Sequence, residues 1–355
     1  MSSLLEIKPD TQRQEFFKVD FPIDFVFTWV DNTEEHIERR IKHMKKMGFK
    51  RPPHDNGVHR FGNNDELKYS IRSIYQYAPW VRTIYIIIDD VQRPVWLATD
   101  TEEFNIPIIL ITHSQLYGSM FKGHLPTFNS HSIECHLHRI PGLSEQFIYS
   151  NDDMFLGNDC VPQDFFDNEG KPKYVFHGSV DPGPKRKNMS QHAMAWVNNL
   201  SLLDMLFPRW RRSSQRRQTV VNASSGIQCP AHQAVPMLKS SFDVVWDSHV
   251  SRTLLWSTSE TKFRQSSNIH IIGLLVYMNI LNKRAVKGER SNMYIEFNNT
   301  NNPKLELTSL VKHRPKQFCL NDCFGLSNRT QMSKKMQDFL MQFFPYPTIA
   351  ELSPN

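Results

Sequence analysis

The sequence predicts an α/β protein: a mostly parallel sheet flanked by helices, with a largely helical insertion after its first half. Three observations predict it. Four short runs, 23–30 (IDFVFTWV), 83–88 (TIYIII), 106–111 (IPIILI) and 145–149 (EQFIY), are almost continuously apolar, as strands buried on both faces are. Segments with helical periodicity separate them. Acidic residues follow three of the runs directly, at Asp31, Asp89 and the pair Asp152-Asp153.

The elements follow in order. After the first strand, Thr33 caps an amphipathic helix over 34–47 with Ile37, Ile41 and Met44 on one face. Residues 50–62, with Pro52, Pro53, Gly57 and Gly62, form a loop. A second helix spans 66–77, with Leu67, Ile71, Ile74 and Tyr75 on one side and Asn63, Asn64 or Asp65 as cap. A helix over 129–139 precedes the fourth strand. Beyond Pro162 the texture changes: a basic turn-rich loop at 181–187, a helix at 190–207, and five arginines in the nine residues 209–217. Helical patterns return at 233–252 and 269–282, a strand at 293–297, an Asn-rich turn at 298–303 and an amphipathic helix at 331–344, stopped by Pro345. The organisation expected is an N-terminal extension (1–22), a first part of the core (23–160), a mostly helical insertion (161–260), the remainder of the core (261–330) and a C-terminal helix and tail (331–355).

A chain of 355 residues has room for about two domains, or one large unit with an insertion. Its 39% hydrophobic and 22% charged residues exclude wholesale disorder, and sparse glycine without a repeat period excludes collagen-like and solenoid folds. The start, MSSLLEIKPD, has neither the cationic nor the apolar part of a secretory signal. The longest apolar stretch, 269–281, is interrupted by His270 and Asn279 and falls short of the roughly 20 residues that span a bilayer. Five scattered cysteines read as reduced thiols, with Cys319 and Cys323 at most half of a zinc set. A cytoplasmic protein is expected. The formal charge of +6 suits an anionic substrate or a merely basic surface.

Open parallel sheets bind ligands at the carboxyl ends of their strands. Asp31, Asp89 and Asp152-Asp153 stand there, and carboxylates gathered on one rim call for a divalent cation such as Mg²⁺. Each alone also reads as a turn or cap residue, but two adjacent carboxylates repel unless something positive sits beside them. His113, His131, His138, His177 and His232 are acid–base candidates, each with an ordinary reading as a hydrogen-bonded structural histidine. Arg72 and Arg82, near the first strands, are placed to clamp phosphate. The 209–217 arginines form a polyanion dock or a solvated loop. Trp29 and Trp80 read as core or cleft walls.

Together these runs resemble the Stealth family, the hexose-1-phosphate transferases of bacterial capsule synthesis, to which the lysosomal-enzyme GlcNAc-1-phosphotransferase is related. Residues 23–31 (IDFVFTWVD) resemble its first signature, 64–89 with 125–157 (LPTFNSHSIECHLHRIPGLSEQFIYSNDDMFLG) its second, 231–264 its third, and 318–322 (FCLND) its fourth. The chain departs from the pattern at Gly62-Asn63, where Arg-Asp is usual, at Ile88, and after His232. The resemblance implies a Rossmann-like core that binds a UDP-sugar with Mg²⁺ or Mn²⁺. An acceptor hydroxyl attacks the sugar-bearing phosphorus, UMP leaves, and a phosphodiester forms. By position, Asp31, Asp152, Asp153 and Asp322 would surround the metal or diphosphate, with Asn151 and Asn321 orienting it. Arg72, Arg82 and Arg264 would bind phosphate, and Asn64 would join the substrate-binding set. His232 would be the base, with His138 and Asp153 as rivals. Glu134 and Asn129 would hold sugar hydroxyls. The donor is expected to be a UDP-N-acetylhexosamine and the acceptor an oligo- or polysaccharide selected by the insertion. Nucleic acid is not expected as a partner, and peripheral association with a capsule-synthesis complex at the inner membrane is compatible with this reading. The rival functions are a metal-dependent glycosyltransferase that releases UDP and a non-enzymatic polyanion binder.

Overall fold

Alternate residues of the four apolar runs face opposite sides of one sheet, which is how a parallel sheet comes to be buried on both faces. The structure, a computed structural model, describes residues 19–48, 62–99, 104–181, 189–222, 226–297, 303–323 and 329–352. Strands β1 (Ile23–Thr28), β2 (Ile84–Ile88), β3 (Ile108–Thr112) and β4 (Gln146–Asn151) are parallel. Phe25, Phe27, Ile84, Ile86, Ile108 and Ile148 enter the core on one face. Val26, Tyr85, Ile87, Ile111, Phe147 and Tyr149 enter the core on the other.

The remaining strands are β5 (Met154–Leu156), β6 (Lys173–Tyr174), β7 (Phe176–Val180), β8 (Val221–Asn222), β9 (Gly226–Pro230), β10 (Val235–Leu238), β11 (Val286–Lys287), β12 (Asn292–Phe297) and β13 (Gln317–Asp322). The helices are α1 (Glu34–Lys46), α2 (Glu66–Tyr77), α3 (His113–Tyr117), α4 (Ser130–Glu134), α5 (Gln191–Leu206), α6 (Ser214–Val220), α7 (Ser240–Asp247), α8 (His249–Glu260), α9 (Ile271–Leu281), α10 (Lys304–His313) and α11 (Arg329–Phe343). The central sheet has the order β10-β4-β1-β2-β3, with β10 antiparallel. The chain therefore steps from β1 outward through β2 and β3, then returns to place β4 on the other side of β1. That reversal opens a crevice between the carboxyl ends of β1 and β4, where ligands of such sheets bind. A second sheet, β12-β13-β5, a small antiparallel one, β7-β9-β8, and the two-stranded β11-β6 complete the framework.

The expected α/β fold is present, with local differences. Thr33 does cap α1, its hydroxyl accepting the His36 amide at 3.4 Å. The buried face of α1, however, is His36, Arg40 and Met44, while Ile41 is exposed. This helix lies over Phe128 and Phe263 and presents polar groups inward, so apolar spacing did not mark its inner side. The helix expected over 129–139 breaks into α4 and a 3₁₀ turn at Leu137–Arg139. The helical pattern at 233–252 begins instead with β10, an edge strand that tolerates Pro236. The insertion also carries β7, β8 and β9. On α11, Met332, Met336, Leu340 and Phe343 are buried in the core, which makes it a packed helix. Among the described residues no helix is long and apolar enough to cross a membrane. The extension up to residue 18, the loop 50–61, the basic loop 182–187 and the turn 298–302 lie outside the described residues.

Two arginines expected at phosphate are structural. Arg72 leaves α2 toward the chain's carboxyl end, donating to Glu351 at 2.7 and 2.6 Å and to the Phe344 carbonyl at 2.6 Å. Arg82 precedes β2 and so sits at the amino end of the sheet, opposite the strand tips. There it grips the buried Asp24 at 2.7 and 2.5 Å and the Gly142 carbonyl at 2.7 Å. Both guanidiniums are committed to fastening the fold.

The Arg72–Glu351 pair is mostly shielded from water, and removing one partner strands the other charge. Glu351→Gln is expected to lower stability by about 2 kcal/mol in urea denaturation while leaving turnover per folded molecule unchanged. Lost turnover without lost stability would return Arg72 to the active site.

Candidate active site

The carboxyl ends of β1, β2 and β4 open into one cleft of about 490 Å³, walled by residues of α2, α4, α5 and β13. Its acidic side comes from the join between the two larger sheets. β4 ends at Asn151, the turn Asp152-Asp153 follows, and β5 starts at Met154 in the second sheet. β13 runs antiparallel to β5 with Cys319 opposite Met154, and the Leu320 amide donates to the Asp153 carbonyl at 3.1 Å. Asn321 and Asp322 thus overshoot the end of β5 and reach the same cleft as Asp152 and Asp153. Glu66, the first residue of α2, adds a fourth carboxylate.

Burial of these acids opposes their ionisation. Glu66 is pushed up to about 7, chiefly by burial; hydrogen bonds from Asn64 pull it back and Asp153 adds repulsion. Asp152 is pushed well above the ordinary range by burial, then by Glu66 and by Asp153. Asp153 is also raised by burial, against the pull of His232 and the Cys319 thiol. Asp153 Oδ1 is buried with no hydrogen-bond partner. Carboxylates so arranged are short of positive charge, and a hard divalent cation is the partner that oxygen donors select. Mg²⁺ or Mn²⁺ fits this donor set.

Neighbouring side chains hold the acids in place. The Asn64 amide and Nδ2 each donate to Glu66 at 2.5 Å, Nδ2 also reaches Asp322 at 3.5 Å, and the Ser333 hydroxyl donates to Asn64 Oδ1. Arg329 pairs with Asp322 at 3.1 Å. A methyl group at Gly62 would overlap the Arg329 guanidinium, so the chain's departure at Gly62 is where this arginine fits.

The other walls carry different chemistry. His232, exposed on the loop before β10, has a ring nitrogen within 4.8 Å of both an Asp153 oxygen and Cys319 Sγ. Glu134 is pushed up to about 7 by burial, against Arg264 and hydrogen bonds from Ser130 and Tyr149. Its Oε2 is buried without a hydrogen-bond partner. The Tyr149 hydroxyl lies 3.3 Å from Glu134, 3.2 Å from Asn151 and 3.1 Å from Thr28. Arg264 donates to Ser130 at 2.7 Å. At the far end Asp89 accepts from Arg39 at 2.5 Å and the Val91 amide at 3.1 Å; burial raises its pKa, but Arg39, His113 and that amide carry it below the ordinary value. Burial pushes His36 down to about 4 and also lowers His113, so both are neutral near pH 7.

Asp152, Asp153, Asp322, Asn151, Asn321, His232, Glu134 and Arg264 thus share the cleft, with Asn64 behind Glu66 and Asp322. Besides Arg72 and Arg82, other residues singled out from the sequence do not, one being His177, exposed on β7. Asp31 is absent from the lining, and its amide and carbonyl are tied to the Gln92 side chain at 3.2 and 2.5 Å where β1 turns into α1. His138 stacks on Phe242 with centroids 5.2 Å apart and is pushed down to about 3 by burial, which makes it a packed, neutral ring. Asn129 is fully buried as the cap of α4, donating to Thr261 Oγ1 at 2.7 Å and Asn268 at 2.9 Å. Of the arginine cluster, Arg211 is paired with Asp204 at 2.6 Å and lies over Trp210; the side chains of 214–216 lie outside the described residues. Sequence reasoning missed Glu66, which looks like any first-turn acid, and the lining residues His192, Trp196 and His270.

Four matches to known proteins bear on the chain. The family model described as Stealth protein CR2, conserved region 2, matches residues 60–174. A capsular polysaccharide phosphotransferase of Neisseria meningitidis serogroup B is 31% identical over 344 residues, covering 93% of this chain and 84% of that protein. An exopolysaccharide phosphotransferase of Streptomyces coelicolor is 32% identical over 341 residues, and the chain spans about half of its length, 52%. Among solved structures, the galactosyltransferase LgtC with donor and acceptor sugar analogs aligns over 94% of this chain and 98% of that one, at 11% identity and a TM-score of 0.39.

Because the folded state raises Glu66, its protonated form contributes stability that is fully present below the ordinary 4.5 and lost as pH rises through about 7. Glu66→Gln mimics the protonated acid. In metal-free buffer it is expected to gain on the wild type by up to about 3 kcal/mol across that window, read from urea midpoints. Saturating Mg²⁺ should shrink the difference. Parallel stability curves would contradict the arrangement described.

Proposed function

The chain belongs to the Stealth family, and on that premise we propose that it transfers hexose-1-phosphate from a UDP-sugar, an N-acetylhexosamine donor by expectation, to a hydroxyl of a growing capsular or related polysaccharide. The observation that carries this reading is the meeting of Glu66, Asp152, Asp153 and Asp322 in one cleft, opposite His232, Arg264 and Glu134. A cleft of about 490 Å³ is of the size that encloses a nucleotide-sized ligand.

Each residue has a task in this reaction. Asp152, Asp153, Glu66 and Asp322 would hold Mg²⁺ or Mn²⁺, whose chemistry is to neutralise the diphosphate and the departing UMP. Asn64 and Arg329 keep these carboxylates in register. His232, steadied by Asp153, takes the proton of the acceptor hydroxyl on a ring nitrogen. The acceptor oxygen bonds to the sugar-bearing phosphorus, and the bond from that phosphorus to the bridging oxygen breaks, its electron pair leaving with UMP. The sugar C1–O bond is never cut, so the anomeric configuration is kept. Arg264 binds a phosphate oxygen, Asn151 and Asn321 orient the diphosphate, and Glu134 receives a sugar hydroxyl. The protein would work in the cytoplasm.

The test is a ³¹P spectrum of purified protein with Mg²⁺, a panel of UDP-hexosamines and an oligosaccharide acceptor. A new phosphodiester with UMP is expected. UDP without a phosphodiester would indicate a glycosyltransferase, and neither product, together with salt-sensitive polyanion binding that ignores Asp153→Ala, a simple binder. Asp153→Asn should lower kcat by about 10³ or more and His232→Gln by about 10²–10⁴, with circular dichroism unchanged. Full turnover by Asp153→Asn would remove the proposed centre.

A further inference from the structure

Outside the carboxylate cluster, three histidines from separate elements meet at the cleft wall. His131 stands on α4, His192 in the first turn of α5, and His270 caps α9. One ring nitrogen of each lies within 4.8 Å of the other two, and His131 Nε2 is 3.1 Å from His192 Nδ1. Ring centroids are 5.2–5.5 Å apart in all three pairs. Nitrogens bound at 2.0–2.1 Å to a tetrahedral zinc lie about 3.3 Å from one another, so the closest pair is already at ligand spacing. His131 is buried, while His192 and His270 also line the cleft.

We propose that His131, His192 and His270 form a second metal site, for Zn²⁺ or a similar borderline ion, with three imidazole ligands and a fourth position open to the cleft. The donor chemistry separates it from the acidic side: carboxylates select Mg²⁺ or Mn²⁺, imidazoles Zn²⁺. Ligation needs neutral rings, and burial pushes His270 down to about 3, with Arg264 and His232 adding to it. Arg264 acts on both His270 and Glu134.

Three hydrogen bonds work against the ion, the first being the 3.1 Å bond between His131 Nε2 and His192 Nδ1 themselves. Gly273 N–H donates to His270 Nδ1 at 3.0 Å, and Trp196 Nε1 donates to His192 Nε2 at 3.3 Å. A ligating imidazole carries its remaining proton on the outer nitrogen, so all three bonds are lost on binding. Each neutral bond is worth about tenfold in affinity, whereas protein zinc sites bind tighter than that by many powers of ten, so the ion prevails. The same loss supplies a reporter. Trp196 stacks on His270 with centroids 4.0 Å apart, and its fluorescence should change as the ion enters.

The proposal does not depend on the transferase reading, and its test involves no turnover. The full chain is stripped with a chelator, dialysed and titrated with Zn²⁺. One equivalent is expected by elemental analysis, with a fluorescence change that Trp196→Phe abolishes. X-ray absorption of the zinc-loaded wild type should show nitrogen and oxygen neighbours and no sulfur. His131→Gln and His192→Ala should each weaken binding by more than about 100-fold, while Asp152→Asn and His232→Gln leave it intact. No bound zinc, a sulfur neighbour from Cys319, or full zinc retention in folded His192→Ala would overturn the site. If both histidine variants fail to fold, the absorption spectrum of the wild type decides.

Discussion

The mutual repulsion of Glu66, Asp152 and Asp153 is the constraint on which the site depends. Water would ordinarily screen such acids, but here burial forces each toward its neutral form; Asp153 adds repulsion at Glu66 and Asp152, and Glu66 adds it at Asp152. The fold nevertheless keeps them together. β4 and β5 belong to different sheets, so the two residues between them have nowhere else to go, and β13 brings Asp322 to the same place through backbone pairing. A folded chain that spends stability on holding carboxylates together is prepared for a cation.

The cleft then divides by chemistry. Hard oxygen donors occupy the junction of the sheets; neutral His36 and His113 with Asp89 occupy the end near β2; imidazoles and Trp196 occupy the wall built by α4, α5 and α9. His232 and Arg264 stand between acid and imidazole walls.

Much of the framework was legible in the sequence, because a parallel sheet buried on both faces leaves continuous apolar runs and puts its polar residues at the strand tips. Asp152 and Asp153 were readable for that reason, and Asp322 and His232 through family resemblance. Asp31 shares the strand-tip signature, yet its backbone serves a turn; the pattern specifies where the chain leaves the sheet and not which way the side chain points. Arg72 and Arg82 were misread because a guanidinium's partner depends on tertiary contacts, Glu351 in one case and Asp24 in the other. Asn129 and His138 sit inside a matched family block but serve its internal packing. The histidine cluster joins residues 131, 192 and 270, a separation no local spacing rule spans.

In the proposed reaction the carboxylates gathered at the join of the two larger sheets share one cation in the crevice between β1 and β4. Anomalous diffraction from crystals grown with Mn²⁺ and UDP tests it most directly. A manganese peak ligated by Asp152, Asp153 or their partners Glu66 and Asp322 is expected, with the diphosphate completing its coordination. Well-ordered UDP in the cleft with manganese absent from those carboxylates would contradict it.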